Sequence, residues 1–138
     1  MKRFMALIVV VLMMLCLCAV ASAESVSTRD SDYFNSYGAT LSTTGSGKIN
    51  ITFSCTSVGT ASQLGVSTYS VYRYTDDGWL LVAGPLNGSS SYNTNIHSFA
   101  KTFNGVAGEK YRVSCTFFCV KSGTSESKGY TSRSVTAK

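Results

Sequence analysis

The chain has 138 residues, with 12 lysines and arginines against 7 aspartates and glutamates and a formal net charge of +5. Setting aside an N-terminal apolar segment leaves 115 residues, enough for one domain with a core and too few for two. Without Lys2 and Arg3 ten bases face seven acids, a net charge of +3 that aids solubility and argues against charge-driven binding of nucleic acid or acidic polymers.

Lys2-Arg3 is a basic start, residues 4–20 are almost wholly apolar, and Ala21-Ser22-Ala23 places small residues where a signal peptidase reads them. This pattern predicts a helical secretory signal peptide over residues 1–23, cleavage before Glu24 and an extracellular mature protein. An uncleaved anchor is the alternative, because the apolar run is long enough to span a bilayer. Cys16 and Cys18 follow Leu15 and Leu17, not the small residue that lipidation requires.

Residues 24–32 are polar and read as a flexible leader, and residues 33–138 as the folded domain. A first strand is expected over 33–41, with Tyr33, Asn35, Tyr37, Ala39 and Leu41 on one face and Phe34, Ser36, Gly38 and Thr40 on the other. A turn at 43–47 leads to a second strand over 48–56, where Ile49, Ile51, Phe53 and Cys55 share a face. Residues 57–65 read as a polar loop. A third strand covers 66–75, with Tyr69 and Val71 inward. Asp76-Asp77-Gly78 is a tight hairpin turn with too few carboxylates for a calcium loop. It returns into Trp79-Leu-Leu-Val-Ala83, an apolar run suited to a strand with little exposed face.

Residues 84–95, containing Pro85, read as a connector. The next strand, 96–103, puts Lys101 on the same parity as Phe99 and Phe103, which calls for either a bulge or an edge position. The clearest strand follows a glycine turn: Tyr111, Val113, Cys115, Phe117 and Cys119 alternate with Arg112, Ser114 and Thr116. A polar turn at 122–127 and a last strand over 128–136 complete the chain. No stretch after Ala23 has helical periodicity. About seven short strands with frequent turns predict an all-β, antiparallel two-sheet sandwich.

Of five cysteines, Cys55, Cys115 and Cys119 lie in the domain. Cys115 and Cys119 are four apart on one strand, roughly 13 Å, too far to pair. A bridge would join Cys55 to Cys115, the preferred partner, or to Cys119, and would stabilise the fold by about 4 kcal/mol. Three small buried apolar residues is the equally weighted reading. With one bridge the leftover thiol offers a route to a disulfide-linked homodimer.

The segments 48–56 and 110–121 together resemble immunoglobulin and fibronectin type III sandwiches, and Gly108-Glu-Lys-Tyr111-Arg-Val113 is similar to their turn-plus-tyrosine strand entry. The resemblance implies that Tyr111 bonds back to a nearby loop as a tyrosine corner. The gap from Tyr111 to Cys115 is four, not the two of antibody domains, and Tyr69 stands where their buried tryptophan would be. Tyr33-Phe-Asn-Ser-Tyr37, the 45–53 hairpin, and Ala107-Gly-Glu-Lys-Tyr-Arg112 with Thr116-Phe117 also resemble a group of small secreted bacterial proteins of unknown function. That likeness implies secretion and a sandwich, and no activity.

No catalytic, cofactor or metal constellation emerges. His97 is the sole histidine and reads as ordinary surface or strand decoration, and the acids fall in leader or turn positions. Asn50-Ile-Thr52 and Asn87-Gly-Ser89 match the glycosylation pattern, which matters only in a eukaryotic secretory route, whereas the short basic start and compact signal read as bacterial. Binding is the favoured class. If Tyr69 and Val71 point inward, then Tyr72 and Tyr74 point outward with Trp79 just past the turn, an aromatic strip for a sugar or protein ligand, with Arg73 the only base within it. Cross-strand pairing that merely stabilises the sheet is the plainer reading of these rings. A structural, self-associating protein and a small inhibitor of a secreted hydrolase are the remaining alternatives.

Overall fold

The computed structural model describes residues 31–138, so the predicted signal peptide, its cleavage site and most of the leader lie outside the described residues. The described residues form an all-β, antiparallel structure without helix. Its seven strands are β1 (Phe34–Gly45), β2 (Lys48–Thr75), β3 (Gly78–Asn87), β4 (Ser90–Asn104), β5 (Lys110–Lys121), β6 (Thr124–Thr131) and β7 (Val135–Thr136).

β2 is the spine. It runs through the second and third predicted strands and the intervening loop as one element of 28 residues. The stretch 57–65 is polar in composition, yet Ser57, Ala61 and Leu64 are buried, and the backbone stays extended between them. A straight strand of this length would reach roughly 95 Å, several times the radius of a domain this size, so it has to bend. The β2–β4 register shifts between Thr56 and Ala61, around Gly59 at φ +71°. Before the shift β2 pairs with β1 on one edge, and after it with β5; β4 follows on the other edge until β3 takes over at Thr68.

The two halves of β2 contribute to one core. Ile49, Ile51, Phe53 and Cys55 from the first half, Leu64, Val66, Tyr69 and Val71 from the second, and Tyr111, Val113, Cys115, Phe117 and Cys119 from β5 are all buried in one cluster. Phe53 meets the Tyr69 ring at 5.0 Å and stacks on Phe99 at 4.7 Å, while Tyr37 of β1 meets Phe117 at 5.6 Å. The alternation in β5 is complete along its buried face. Tyr111 Oη accepts the N–H of Val106 at 2.8 Å, five residues upstream, the type of local bond expected of that tyrosine.

Several strand limits and facings differ from the sequence reading, each for a local reason. Phe34 is buried and Asn35 exposed, because a register shift between Phe34 and Ser36 inverts the parity at the start of β1. A second shift between Val66 and Thr68 lets Val66 and Tyr69 both face inward. The run 79–83 belongs to an edge strand, paired with β2 alone among the described residues; Leu80 is 51% and Leu81 47% exposed. The predicted connector 84–95 is largely strand, with only a short break between Asn87 and Ser90. The β4 register runs unbroken from Ile96 to Asn104, so an edge position, not a bulge, keeps Lys101 in solvent. The β5–β6 turn is only Ser122-Gly123, both at positive φ, a two-residue hairpin that starts β6 earlier than expected.

Candidate functional site

Tyr74 and Trp79 are cross-strand partners flanking the Asp76-Asp77 hairpin, and their rings meet edge to face at 5.2 Å. Tyr72 lies two residues back, opposite Leu81 on β3 and Arg112 on β5. Directly opposed residues in an antiparallel pair project from the same face. The three predicted rings therefore share the face of the β3–β2–β5 sheet turned away from the buried cluster. Tyr74 is 49% exposed, and Tyr72 and Trp79 are half-buried.

Two bases complete the strip. The Arg112 guanidinium lies 4.2 Å from the Trp79 ring centre and 5.9 Å from that of Tyr72. Lys110 Nζ sits 5.6 Å from the Tyr74 ring centre. Each ring thus carries a cation over or near its face, a favourable contact with the ring quadrupole. Arg73, the base expected in the strip, is opposite Tyr111 and Leu80 and projects from the other face. The even positions of β5 had marked Arg112 as outward-facing. What local sequence lacks is the register that sets β5 beside Tyr72 and Tyr74. An open cleft lined by Leu41, Tyr130, Arg133 and Val135 lies elsewhere, where β1 approaches the C-terminal strands.

The three cysteines are free thiols, and no bridge joins Cys55 to Cys115 or to Cys119. Their strands place them inward, but facing the same interior does not bring two sulfurs into bonding distance. All three are at most 4% exposed, which withholds them from a second chain in the folded state. Burial pushes Cys55 up to about 12, with Cys119 nearby adding to the rise, and pushes Cys115 up to about 12, with Cys55 contributing. Both are protonated at neutral pH. In the unfolded chain they would ionise near their ordinary value of about 9, so the unfolded state holds fewer protons above that pH. Stability is therefore expected to fall as pH rises from about 9 to about 12, and buried Tyr69, also raised by desolvation, acts in the same direction. Chemical denaturation at stepped pH checks this. A Cys55→Ala, Cys115→Ala chain should show a shallower alkaline loss, and an unchanged slope would exclude these two thiols as its source.

His97 is not surface decoration. It is 7% exposed, opposite Cys55 on the inner face of β4, with its ring 5.6 Å from that of Phe99. Its Nδ1 shares a 2.8 Å hydrogen bond with Ser91 Oγ. Desolvation lowers its pKa, opposed by a backbone contact with Ser89. A serine beside a histidine is the start of a nucleophile and base, but the ring's Nε2 is buried without a hydrogen-bond partner, so among the described residues no carboxylate orients it. Among the described residues no group of three or more His, Cys, Asp or Glu side chains gathers to hold a metal ion.

Comparison with family models, curated proteins and solved structures finds no match to this chain.

Proposed function

We propose that this protein is an exported, non-catalytic binding module, built as an immunoglobulin-like two-sheet sandwich, whose outer-face strip Tyr72, Tyr74 and Trp79 engages a ligand outside the cell. The bend in β2 supports the sandwich, since it gives each half of the strand a different second neighbour while both bury side chains in one cluster. The Tyr111 to Val106 bond is consistent with the immunoglobulin-like reading. The export signal in residues 1–23 supports the extracellular setting.

One observation carries the binding assignment: three large aromatic side chains and two bases converge on one sheet face, away from the core. Aromatic and arginine side chains are the types most enriched where proteins bind partners. Screening on a carbohydrate array is the test. Tyr72→Ala and Trp79→Ala should each weaken binding about tenfold or more while the fold is retained. Ligand retention at full strength by both variants would overturn the assignment.

Self-association is a second reading, favoured by β3. It is an edge strand with Leu80, Leu81, Val82 and Leu86 between 36% and 51% exposed and no charged residue along its length. Natural edge strands usually carry charges that block pairing with another chain. On this reading, sedimentation should show size increasing with concentration, and Val82→Lys should abolish the increase. A monomer at all concentrations removes the reading.

A further inference from the structure

The strip does not present bare rings. Arg112 lies over Trp79 and within reach of Tyr72, and Lys110 lies beside Tyr74. A neutral sugar that stacks on open aromatic faces would first have to displace these cations. An anion would instead add to what is already there, because a cation resting on a ring keeps its full charge. Neither base has a carboxylate within ion-pair distance among the described residues, where the one ion pair found is Lys128 to Glu126. The Arg112 Nε is buried without a hydrogen-bond partner. With its guanidinium 4.2 Å from the Trp79 ring centre, the arginine has a planar fork that matches the two oxygens of a carboxylate or sulfate.

Resting on the reading of this strip as the binding face, we propose that its ligand is an anionic polysaccharide whose carboxylates or sulfates pair with Arg112 and Lys110. The two bases are alternate residues of β5, roughly 7 Å apart along the strand on an open sheet face. That arrangement suits an extended polymer with regularly spaced anions. Tyr74 and Leu81, both about half exposed, flank the cations and offer apolar contact to the C–H faces of sugar rings. The low net charge of the chain had argued against acidic polymers, but the recognition here is local, and a net charge averages it away.

Affinity is to be measured for polygalacturonate against its methyl ester, dextran sulfate against dextran, and polyglutamate. The acidic glycans are expected to bind at least about tenfold tighter than their uncharged counterparts, and progressively more weakly as salt is raised. The carboxylated and sulfated arms identify which anion is preferred. Arg112→Gln and Lys110→Gln should each lower that affinity several-fold, roughly 0.5–1 kcal/mol or more by the tenfold rule. Arg112→Lys should recover only part of the loss, and Lys101→Gln, exposed on β4, should change nothing. Equal binding of acid and ester, insensitive to Arg112→Gln, would overturn the anion assignment, yet leave the strip standing if Trp79→Ala still abolished binding. Loss of neither ligand on Trp79→Ala would overturn the strip itself. Polyglutamate binding as tightly as polygalacturonate, or no binding of any acidic glycan, would also defeat the proposal.

Discussion

Phe53→Ala is expected to lower the stability of the fold by about 3–5 kcal/mol, the range for removing a fully buried aromatic ring. Phe53 is 0% exposed and lies where the first half of β2 meets the second, against Tyr69 and Phe99. Truncation would leave a cavity bounded by two rings held on separate strands, which cannot collapse into it without moving the strands. A small domain commonly has only about 5–15 kcal/mol in total, so the variant should unfold at much lower urea. Phe53→Leu, which keeps most of the volume, should cost less than half as much. A loss below about 1 kcal/mol for the alanine variant would mean that this ring does not join the two halves of the strand.

Gly88→Ala should be nearly as damaging, for a steric and not a hydrophobic reason. A Cβ at Gly88 would stand 2.1 Å from the Val66 carbonyl oxygen, and one at Gly65 would stand 2.3 Å from that of Ser89. The chains approach this closely because Val66 N–H donates to Ser89 O at 2.8 Å and Gly88 N–H to Ser67 O at 2.9 Å. Backbone meets backbone, so no side chain can rotate aside. The short break between β3 and β4 must shift, with a loss of about 3 kcal/mol, at the upper end of overpacking costs. Gly129→Ala is the control: nothing lies within 4 Å of its Cβ position, and the change should be neutral within about 0.5 kcal/mol. Equal stability for Gly88→Ala and Gly129→Ala, measured by urea denaturation, would show that the crossing is looser than the geometry indicates.

The strands that were legible in sequence are those with unbroken alternation and a short, chemically explicit turn. β5 is the clearest, and the Asp76-Asp77 hairpin placed Tyr74 beside Trp79 with no tertiary information. Alternation fails at a bulge, which shifts one residue and inverts every facing beyond it, as at Asn35 and Ser67. Composition misled at 57–65, where small polar residues continue a strand instead of forming a loop, since backbone pairing does not depend on apolar side chains. It misled again at β3, whose leucines and valine look like core but lie at an edge. Burial of a strand depends on its neighbours, and those come from distant parts of the chain. The same limit hid Lys110 and Arg112: their place beside the rings is fixed by the β2–β5 register across some forty residues. Likewise, the inward facing of the cysteines could be read, but not the separation of their sulfurs.

Trp79 is the only tryptophan in the chain and lies within the strip, so its emission reports on that face directly. Titrating the protein with polygalacturonate while recording tryptophan fluorescence tests the binding face most simply. A saturable change in intensity or wavelength, with its midpoint moved several-fold higher in Arg112→Gln, is the expected result. Binding detected by sedimentation or calorimetry with Trp79 emission unaltered would place the ligand elsewhere on the molecule and contradict the assignment.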